Sequence, residues 1–255
     1  MEKNQSSWNL AGVVDHYNED HTLQAPEKTI LESLKPRMHE WDVLDIGVGT
    51  GRTTAFLAPL VKKYTGTDYA ENMILSCRKR FGDSFSNMSL QVGDARLMPE
   101  FETGAFDFVL FSFNGLDYIG HEDRLKALKE IKRVCKPGGY FAFSTHNLRA
   151  IGGIYSIEWT PHPKYMLYQF YKITRLLFKT GLPGKYRDKE YAVIHDGLHH
   201  FKIVTYYIQP EVQVRQLQEA GFEQIRLFSV TDGKETHTQD PLLKKSPWVY
   251  FLCQC

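Results

Sequence analysis

The feature that most constrains this chain is a hydrophobic run that leads into alternating glycines, VLDIGVGTG at residues 43–51. Its apolar residues predict the end of a buried parallel strand. The glycines allow a sharp turn and let a ligand approach the bare backbone. Residues 53–60 predict a helix whose first N–H groups face that ligand. This strand, turn and helix together predict a nucleotide-type binding site at the carboxyl edge of a sheet.

The spacing of the glycines restricts the kind of ligand. A dinucleotide site carries the pattern G-x-G-x-x-G. Here the third glycine comes one residue early, and Arg52 stands where that pattern has glycine. An isolated glycine run is also explained by a plain tight turn. The segments that follow are therefore needed to distinguish a tight turn from a ligand site.

Acidic residues follow the next two predicted strands. Asp68 ends a short strand about 20 residues beyond the glycine turn, where a carboxylate can accept both hydroxyls of a ribose. Asp94 stands at the tip of a third strand. Residues 106–111 predict a fourth strand, and residues 140–144 predict a fifth after a turn at 136–139. Helical patterns between these strands predict a parallel β-α-β-α sheet.

Five segments in this order resemble the class I S-adenosylmethionine-dependent methyltransferases. They are LDIGVGTG, GTDYAENM, VGDARLMP, FDFVLFSFNGLDYI and LKEIKRVCKPGGYFAFSTHN. The resemblance implies an α/β, Rossmann-like, doubly wound sheet of seven strands with the last strand antiparallel, and S-adenosyl-L-methionine as the cofactor. A nicotinamide oxidoreductase shares only the strand-glycine-helix start, and the early third glycine and the Asp94-Ala95 site disfavour it.

The chain is interpreted as one methyltransferase domain, residues 1–255. Residues 1–40 form a helical lead-in, 41–147 the cofactor-binding core, 148–207 an inserted acceptor cap, and 208–255 the end of the sheet. The insert follows the fifth strand and breaks the α/β rhythm. Its aromatic residues are predicted to face inward over the acceptor pocket; they are Tyr155, Trp159, Tyr165, Tyr168, Phe170, Tyr171, Phe178, Tyr186 and Tyr191.

A basic helix is predicted within the insert, and its role stays open. Lys172, Arg175 and Lys179 fit the solvated face of an amphipathic helix. They also fit a site for a carboxylate or phosphate, an RNA contact, or a cationic helix lying on a membrane.

The resemblance assigns the cofactor contacts position by position. Asp68 would accept the ribose hydroxyls, Tyr69 and Met73 would flank the adenine, and Asp94 would take the adenine amino group beside the Ala95 backbone. The remaining expected contacts are Tyr17, Asp45, Gly47, Gly49, Gly51, Ser112 and Phe113, which surround the methionine and ribose portions. Each has a plainer alternative: Asp68 can cap a helix, Asp94 can close a turn, and Tyr69, Met73 and Tyr17 can be packing residues.

The acceptor side is less defined. The motif after the fourth strand, FNGL at residues 113–116, resembles neither the Asn/Asp-Pro-Pro motif of amino-group methylases nor a Pro-Cys nucleophile motif. His146 follows the fifth strand and is the candidate catalytic base, because an imidazole titrates near neutrality; it can equally well hydrogen-bond a loop. The predicted substrate-binding residues are Asn114, Asp117, Asn147, His199, His200 and Tyr206.

Charge and cysteine content limit the partners. A net charge of +1 argues against a whole-surface nucleic-acid binder, so no DNA partner is expected and RNA is disfavoured. No apolar run is long enough for a membrane span, and residues 1–8 lack a signal-peptide pattern, so a cytoplasmic location is expected. The four cysteines show no zinc spacing and are expected to be reduced. Gly197 interrupts the His195–His199 pair, so no metal is predicted.

The sequence therefore predicts transfer of a methyl group from S-adenosylmethionine to an O or N atom of a small-molecule acceptor by in-line displacement. An RNA-directed methyltransferase and an inactive, cofactor-binding partner subunit remain as alternatives.

Overall fold

A central, mostly parallel sheet carries helices on both faces in the computed structural model, which describes residues 22–255 without the side chains of 199 and 200. The first part alternates strands and helices as predicted. Its elements are α1 (Ala25–Met38), β1 (Asp42–Ile46), α2 (Thr54–Leu57), β2 (Lys63–Asp68), α3 (Glu71–Phe81), β3 (Met88–Val92), β4 (Phe106–Phe111), α4 (His121–Val134) and β5 (Cys135–Asn147).

The second part holds the insert and the end of the sheet. Its elements are α5 (Pro163–Lys179), β6 (Tyr191–Ile194), β7 (Thr205–Ile208), α6 (Pro210–Glu219), β8 (Glu223–Ser229), β9 (Glu235–Thr236) and β10 (Trp248–Gln254). Short 3-10 helices occupy Ala58–Leu60, Gly115–Tyr118, Leu148–Tyr155, Pro183–Tyr186, Leu198–Phe201 and Pro241–Lys245.

The strand order confirms the predicted fold class. Seven strands run in the order β3-β2-β1-β4-β5-β10-β8, with β10 antiparallel to both of its neighbours. The order reverses between β1 and β4, which opens a crevice beyond the carboxyl ends of these strands. Within residues 22–255 the sheet has ten strands rather than seven, because β9 adds a short edge to β8 and the β6–β7 hairpin joins β5.

Side-chain alternation along the strands builds two core layers. Phe141 and Phe143 of β5 pack on the side of α4 and α6, in the layer that holds Leu128 and Leu217. Ala142, between them, belongs to the opposite layer, which α1 and α3 cover. The central strands are buried on both faces, so apolar packing stabilises the sheet. Their polar residues lie mainly at the carboxyl edge.

The insert extends the sheet where β4 ends. β7 pairs with the last two residues of β5, His146 with Tyr207 and Asn147 with Ile208. Since β10 occupies the other side of β5 at His146, β7 lies on the β4 side, beside the crevice. The insert thus stands at the carboxyl edge of the sheet.

The prediction that the aromatic residues of the insert face inward is wrong for α5. This helix buries Gln169 and Leu176, and its aromatic residues lie largely in solvent. Phe178 is 89% exposed, and Trp159, just before the helix, is 83% exposed. The helix is apolar on more than one face, and the face that packs is the one defined by Gln169, Ile173 and Leu176.

Two further expectations need correction. Residues 136–139 are not a separate turn but part of β5, where the pairing with β4 shifts register. The cysteines are not all reduced, since Cys135 and Cys255 form a disulfide across a sequence separation of 120 residues. The pairing of β10 with β5 brings these two ends together, which spacing along the chain does not reveal. Cys77 and Cys253 are buried free thiols.

Candidate active site

The glycine turn after β1 leaves backbone open on one side and packs tightly on the other. Gly47, Gly49 and Gly51 all have positive φ, at 64°, 57° and 89°. A Cβ on Gly51 would lie 2.8 Å from the Cys77 sulfur, whereas a Cβ on Gly49 would meet nothing within 4 Å. Gly51 therefore serves close packing, and Gly49 faces open space at the edge of the sheet.

Asp68 lies at the end of β2 and faces this turn. Its Oδ2 accepts the Gly49 N–H at 3.0 Å, and its Oδ1 accepts the Ala70 N–H at 2.8 Å. Burial raises the pKa of Asp68 to about 6, although both hydrogen bonds lower it. A carboxylate offers about four lone-pair positions, so two of them remain for a ligand.

A second acid lies beneath the turn. Asp45 is 1% exposed, and its Oδ2 accepts hydrogen bonds from the Thr53 hydroxyl at 2.5 Å and from the Tyr64 hydroxyl at 2.7 Å. Burial raises the pKa of Asp45 to about 6. These contacts tie β1 and β2 to the first turn of the following helix.

Sequence reasoning missed a buried ion pair beside the turn. The carboxylate of Glu27, from α1, accepts two hydrogen bonds from the Arg52 guanidinium, at 2.6 and 2.7 Å. It also accepts hydrogen bonds from the hydroxyls of Ser112 and Tyr250. Burial would raise the pKa of Glu27, but the hydrogen bond and charge of Arg52 outweigh it, so this pKa is lowered. The pair joins the lead-in helix to the glycine turn and to the loop after β4.

One signal for this ion pair is present in the sequence. Arg52 replaces the third glycine of the dinucleotide pattern, so a charge stands directly behind the turn. Its partner comes from 25 residues earlier in the chain, and only the packing of α1 identifies it.

The loop after β4 has an unusual backbone. Phe113 and Asn114 both adopt left-handed conformations, with φ of 53° and 59°. The Asn114 N–H donates to the Ser144 hydroxyl at 2.7 Å, and the Arg52 guanidinium lies 4.9 Å from the centre of the Phe113 ring. Asn114 is 5% exposed, and its Oδ1 has no hydrogen-bond partner within the described part of the chain. Strained backbone and an unpaired buried acceptor are typical of ligand sites.

His146 and Asp117 form a pair at the carboxyl end of β5. The Nδ1 atom of His146 lies 2.7 Å from Asp117 Oδ2, which also accepts the His146 backbone N–H at 2.7 Å. The other oxygen, Oδ1, accepts from Arg124 Nη1 at 2.6 Å and from the Thr145 hydroxyl at 2.7 Å. Because Asp117 is surrounded by donors, it acts as an acceptor, and this arrangement favours a proton on Nδ1 of His146.

Arg124 fixes the position of Asp117 and was not predicted. Its side chain is fully buried, with hydrogen bonds to the Leu116 carbonyl and to Gln213 Oε1, and it lies 4.8 Å from the centre of the Tyr206 ring. Asp117 is 1% exposed, so it lies behind His146 rather than at an open surface. The imidazole is 13% exposed and lies between the rings of Tyr207 and Trp248.

The residues expected around an adenine ring lie at the ends of β2 and β3. Met73 is 2% exposed and packs with Ala70 and with Ile203 of the insert, and Tyr69 packs against this cluster. Ala95 is half-buried against the core layer beside α4. The insert therefore reaches the edge at which these residues lie.

Asp94 is held by its neighbour. Its carboxylate accepts the Arg96 N–H at 3.0 Å and pairs with the Arg96 guanidinium, which also reaches Asp123. Burial would raise the pKa of Asp94, but the hydrogen bonds and charge of Arg96 outweigh it, so this pKa is lowered. The side chain is 41% exposed and still faces solvent.

The remaining acceptor-side candidates are dispersed. Asn147 is 1% exposed and donates to the carbonyls of Leu243 and Ser246. Tyr206 is fully buried, with its hydroxyl 2.8 Å from His121 Nδ1 and its ring centre 4.8 Å from the Arg124 guanidinium. Tyr17 and the side chains of His199 and His200 lie outside the described residues.

His195 contacts the Ile203 carbonyl through Nδ1, at 3.2 Å. Among the described side chains, which exclude those of residues 1–21, 199 and 200, no group of three His, Cys, Asp or Glu residues is placed to hold a metal ion. No helix in this part of the chain is long and apolar enough to cross a bilayer.

Comparison with known proteins agrees with the geometry. Residues 43–139 match the family described as "Methyltransferase domain". The chain is 34% identical over 198 residues to a protein of Staphylococcus aureus named "Demethylmenaquinone methyltransferase", covering 74% of this chain and 71% of that one.

Solved structures share the fold at low identity. The structure of an S-adenosylmethionine-dependent methyltransferase from Mesorhizobium loti has a TM-score of 0.62 at 16% identity, covering 90% of this chain and 98% of that one. The structure described as "DhpI-SAM-HEP complex" has a TM-score of 0.59 at 15% identity, covering 100% and 97%.

The chain belongs to the class I S-adenosylmethionine-dependent methyltransferases. It is an enzyme that uses S-adenosyl-L-methionine as its cofactor. When bound, this cofactor supplies a methyl group on a sulfonium, which already has a good leaving group.

Proposed function

We propose that this enzyme methylates an O or N atom of a small-molecule acceptor held at the carboxyl ends of β4 and β5. The observation that supports this most is the His146–Asp117 pair. An imidazole that is 13% exposed and whose Nδ1 is fixed by a buried carboxylate is suited to removing a proton from an acceptor. We propose His146 as the catalytic base and Asp117 as the residue that positions it.

The residues of the turn suit the cofactor. In this proposal the unused lone pairs of Asp68 accept the ribose hydroxyls, and the open side of Gly49 admits the ribose and methionine portions. Tyr69, Met73, Asp94 and Ala95 form the adenine side, and Asp45, Ser112 and Phe113 support the methionine side. Asn114 Oδ1, the unpaired buried acceptor, is available to an N–H or O–H of the bound molecules.

The protein has little covalent chemistry to perform. It holds the acceptor in line with the methyl group and keeps water away. As the new bond forms, the Nε2 atom of His146 takes the acceptor proton while Nδ1–H donates to Asp117. The resulting imidazolium lies against a carboxylate, which stabilises its charge. Arg124 prevents the carboxylate from turning away.

A hydroxyaromatic ring carbon is a second candidate acceptor. The relative named "Demethylmenaquinone methyltransferase" favours it, at 34% identity. The same base would serve: His146 would take the hydroxyl proton, which raises the electron density of the adjacent ring carbon as the methyl acceptor. After methylation the imidazolium would return that proton to the oxygen, and the ring carbon would release its own proton to water, so the hydroxyl is restored. Product analysis separates the two, because O-methylation removes a hydroxyl and ring methylation keeps it.

The inserted segment after β5 also has a role in the proposed function. We assign residues 148–207 as the segment that covers the acceptor, because Ile203 packs on Met73 and β7 stands beside His146. Tyr206 is fully buried, so it has no part in this proposed acceptor surface.

The test is label transfer from methyl-labelled S-adenosylmethionine into a fractionated cell extract. Label in a low-molecular-weight fraction supports the proposal, and mass spectrometry of the labelled compound then identifies the acceptor atom. Label that enters RNA or protein would overturn the small-molecule assignment. Binding of the cofactor without any transfer would favour the inactive partner subunit.

A further inference from the structure

The outer face of α5 and its flanks carries large apolar side chains in solvent. Leu167 is 72% exposed, Phe170 53% and Phe178 89%, and these residues recur at helical spacing on the side opposite Leu176. We call this surface the aromatic face; it consists of Ile157, Trp159, Tyr165, Leu167, Tyr168, Phe170, Tyr171, Leu177, Phe178 and Leu182. An exposed apolar surface of this extent is uncommon unless it contacts something.

Hydrogen bonds join the flanks of α5 to the helix and to the rest of the insert. The side-chain amide of Gln169 donates to the Glu158 carbonyl and accepts the Glu158 N–H, both at 2.7 Å, so the segment carrying Trp159 is tied to the helix. At the other end, the Thr180 hydroxyl donates to the His195 carbonyl, and Tyr186 donates to the Thr180 carbonyl. The apolar side chains are thus presented by a helix whose preceding segment is tied back to it and whose C-terminal end is tied to the segment after β6.

The charge around the aromatic face is strongly positive. Residues 157–187 contain six Lys or Arg and one acid, Glu158, although the whole chain has a net charge of only +1. The basic residues are Lys164, Lys172, Arg175, Lys179, Lys185 and Arg187. Within the described part of the chain, none of them forms an ion pair. The opposite charge is left for a partner to supply.

We propose that the aromatic face docks onto the surface of an anionic lipid bilayer. An amphipathic helix with aromatic and leucine side chains on one side and basic residues along it binds at such an interface. The apolar side chains enter the boundary of the acyl chains, and the lysines meet the negative surface potential.

Other occupants fit the observations less well. A second copy of the chain would bring two positive surfaces together. Single-stranded RNA would use the aromatic rings for stacking but would leave Leu167, Leu177 and Leu182 in contact with water.

Docking would bring the acceptor side of the enzyme to the membrane. The Arg175 guanidinium lies 5.5 Å from the centre of the Phe201 ring, and the following Ile203 packs on Met73 at the edge where the cofactor residues lie. A lipid-soluble acceptor would then pass from the bilayer to His146 without crossing bulk water. This step rests on the proposed function, whereas the docking does not.

The docking is tested by sedimentation of the full-length protein with vesicles, without any measurement of activity. Vesicles of phosphatidylcholine with phosphatidylglycerol are compared with vesicles of phosphatidylcholine alone. We expect the wild type to bind the anionic vesicles, and more weakly as salt is added. The triple variant Leu167→Ser/Phe170→Ser/Phe178→Ser should lose binding on the order of 100-fold. The double variant Lys164→Glu/Lys179→Glu should lose about tenfold or more.

Matched controls lie on α3, outside the aromatic face. Leu75 is 51% exposed and Lys79 is exposed, so Leu75→Ser and Lys79→Glu make similar changes away from the aromatic face and should bind like the wild type. Absence of wild-type binding to anionic vesicles at low salt would overturn the proposal. Equal binding by the triple variant, with a native circular-dichroism spectrum, would also overturn it. So would a wild-type dimer that the triple variant converts to a monomer without any vesicle binding.

Discussion

The carboxyl edge of the core and the insert beside it differ in which side chains they bury and which they expose. At the core edge the charged groups are buried and paired, as in Glu27 with Arg52 and Asp117 with Arg124. In the insert the basic groups of α5 form no ion pair with the described part of the chain, and large apolar side chains such as Phe178 face solvent. Burying a charge requires partners in fixed geometry, so the core edge is a preorganised site. An exposed apolar surface indicates instead that the partner of these side chains lies outside the molecule.

The largest expected effect is at the core edge. His146→Ala should reduce turnover with the true acceptor by about 10²–10⁴-fold, because the acceptor proton loses its base. Cofactor affinity should stay nearly constant. His146→Gln should not restore the rate, since an amide can hydrogen-bond but cannot serve as a base.

A suitable control is His39→Ala, at the end of α1, where the side chain is 69% exposed. This variant should turn over like the wild type. Full activity of His146→Ala across pH 6 to 9, a wide window around an ordinary imidazole pKa of about 6.5, would remove His146 from the mechanism.

The next effect concerns the cofactor. Asp68→Ala should weaken binding of S-adenosylhomocysteine on the order of tenfold or more, because two charge-assisted hydrogen bonds are lost. Calorimetry measures this directly, and NAD should give no response with either protein. Unchanged affinity in a folded Asp68→Ala variant would show that the ribose lies elsewhere.

The pH dependence of binding follows from the same carboxyl group. Burial raises the pKa of Asp68 to about 6, so the group is ionised at pH 7.5 and becomes protonated as the pH falls through 6. A protonated carboxyl accepts hydrogen bonds weakly, so affinity should fall by about tenfold at pH 5. Asp45 titrates in the same range, so the comparison needs Asp68→Asn. A decline of equal size in that variant would assign the effect to another group.

The smallest expected effect lies in the insert. Phe178→Ser should change the free energy of unfolding by no more than about 0.5 kcal/mol, because the side chain already contacts water. Leu176→Ala, two residues earlier and fully buried, should cost about 2–5 kcal/mol. Urea denaturation of the two variants tests whether the aromatic face is a surface. A large loss in Phe178→Ser would mean that this side chain is part of the core.

The difference between the two regions also explains what the sequence could predict. The glycine turn and Asp68 are fixed by local spacing, so their relative position follows from reading the chain. His146 lies at the end of β5 and Asp117 in the short helix after β4, and their pairing joins positions 29 residues apart, which local spacing does not predict. The buried role of Arg124 could not be foreseen, since its partner Gln213 is 89 residues distant and a helical arginine is ordinarily solvated.

The orientation of α5 shows a second feature that the sequence pattern does not predict. The sequence predicts an amphipathic helix here, but α5 is apolar around most of its circumference, and Leu176 is buried while the adjacent Leu177 is 42% exposed. Periodicity alone does not decide which of two apolar faces packs, and tertiary contacts such as the Gln169–Glu158 hydrogen bonds make that choice.

The most direct test of the proposed active site is a crystal structure of the complex with S-adenosylhomocysteine. We predict that the ribose hydroxyls bind the Asp68 carboxylate, and that the sulfur faces the crevice into which His146 Nε2 opens. The insert should then enclose an acceptor space between the sulfur and His146. A ribose bound away from Asp68, or a sulfur separated from His146 by the sheet, would contradict the account.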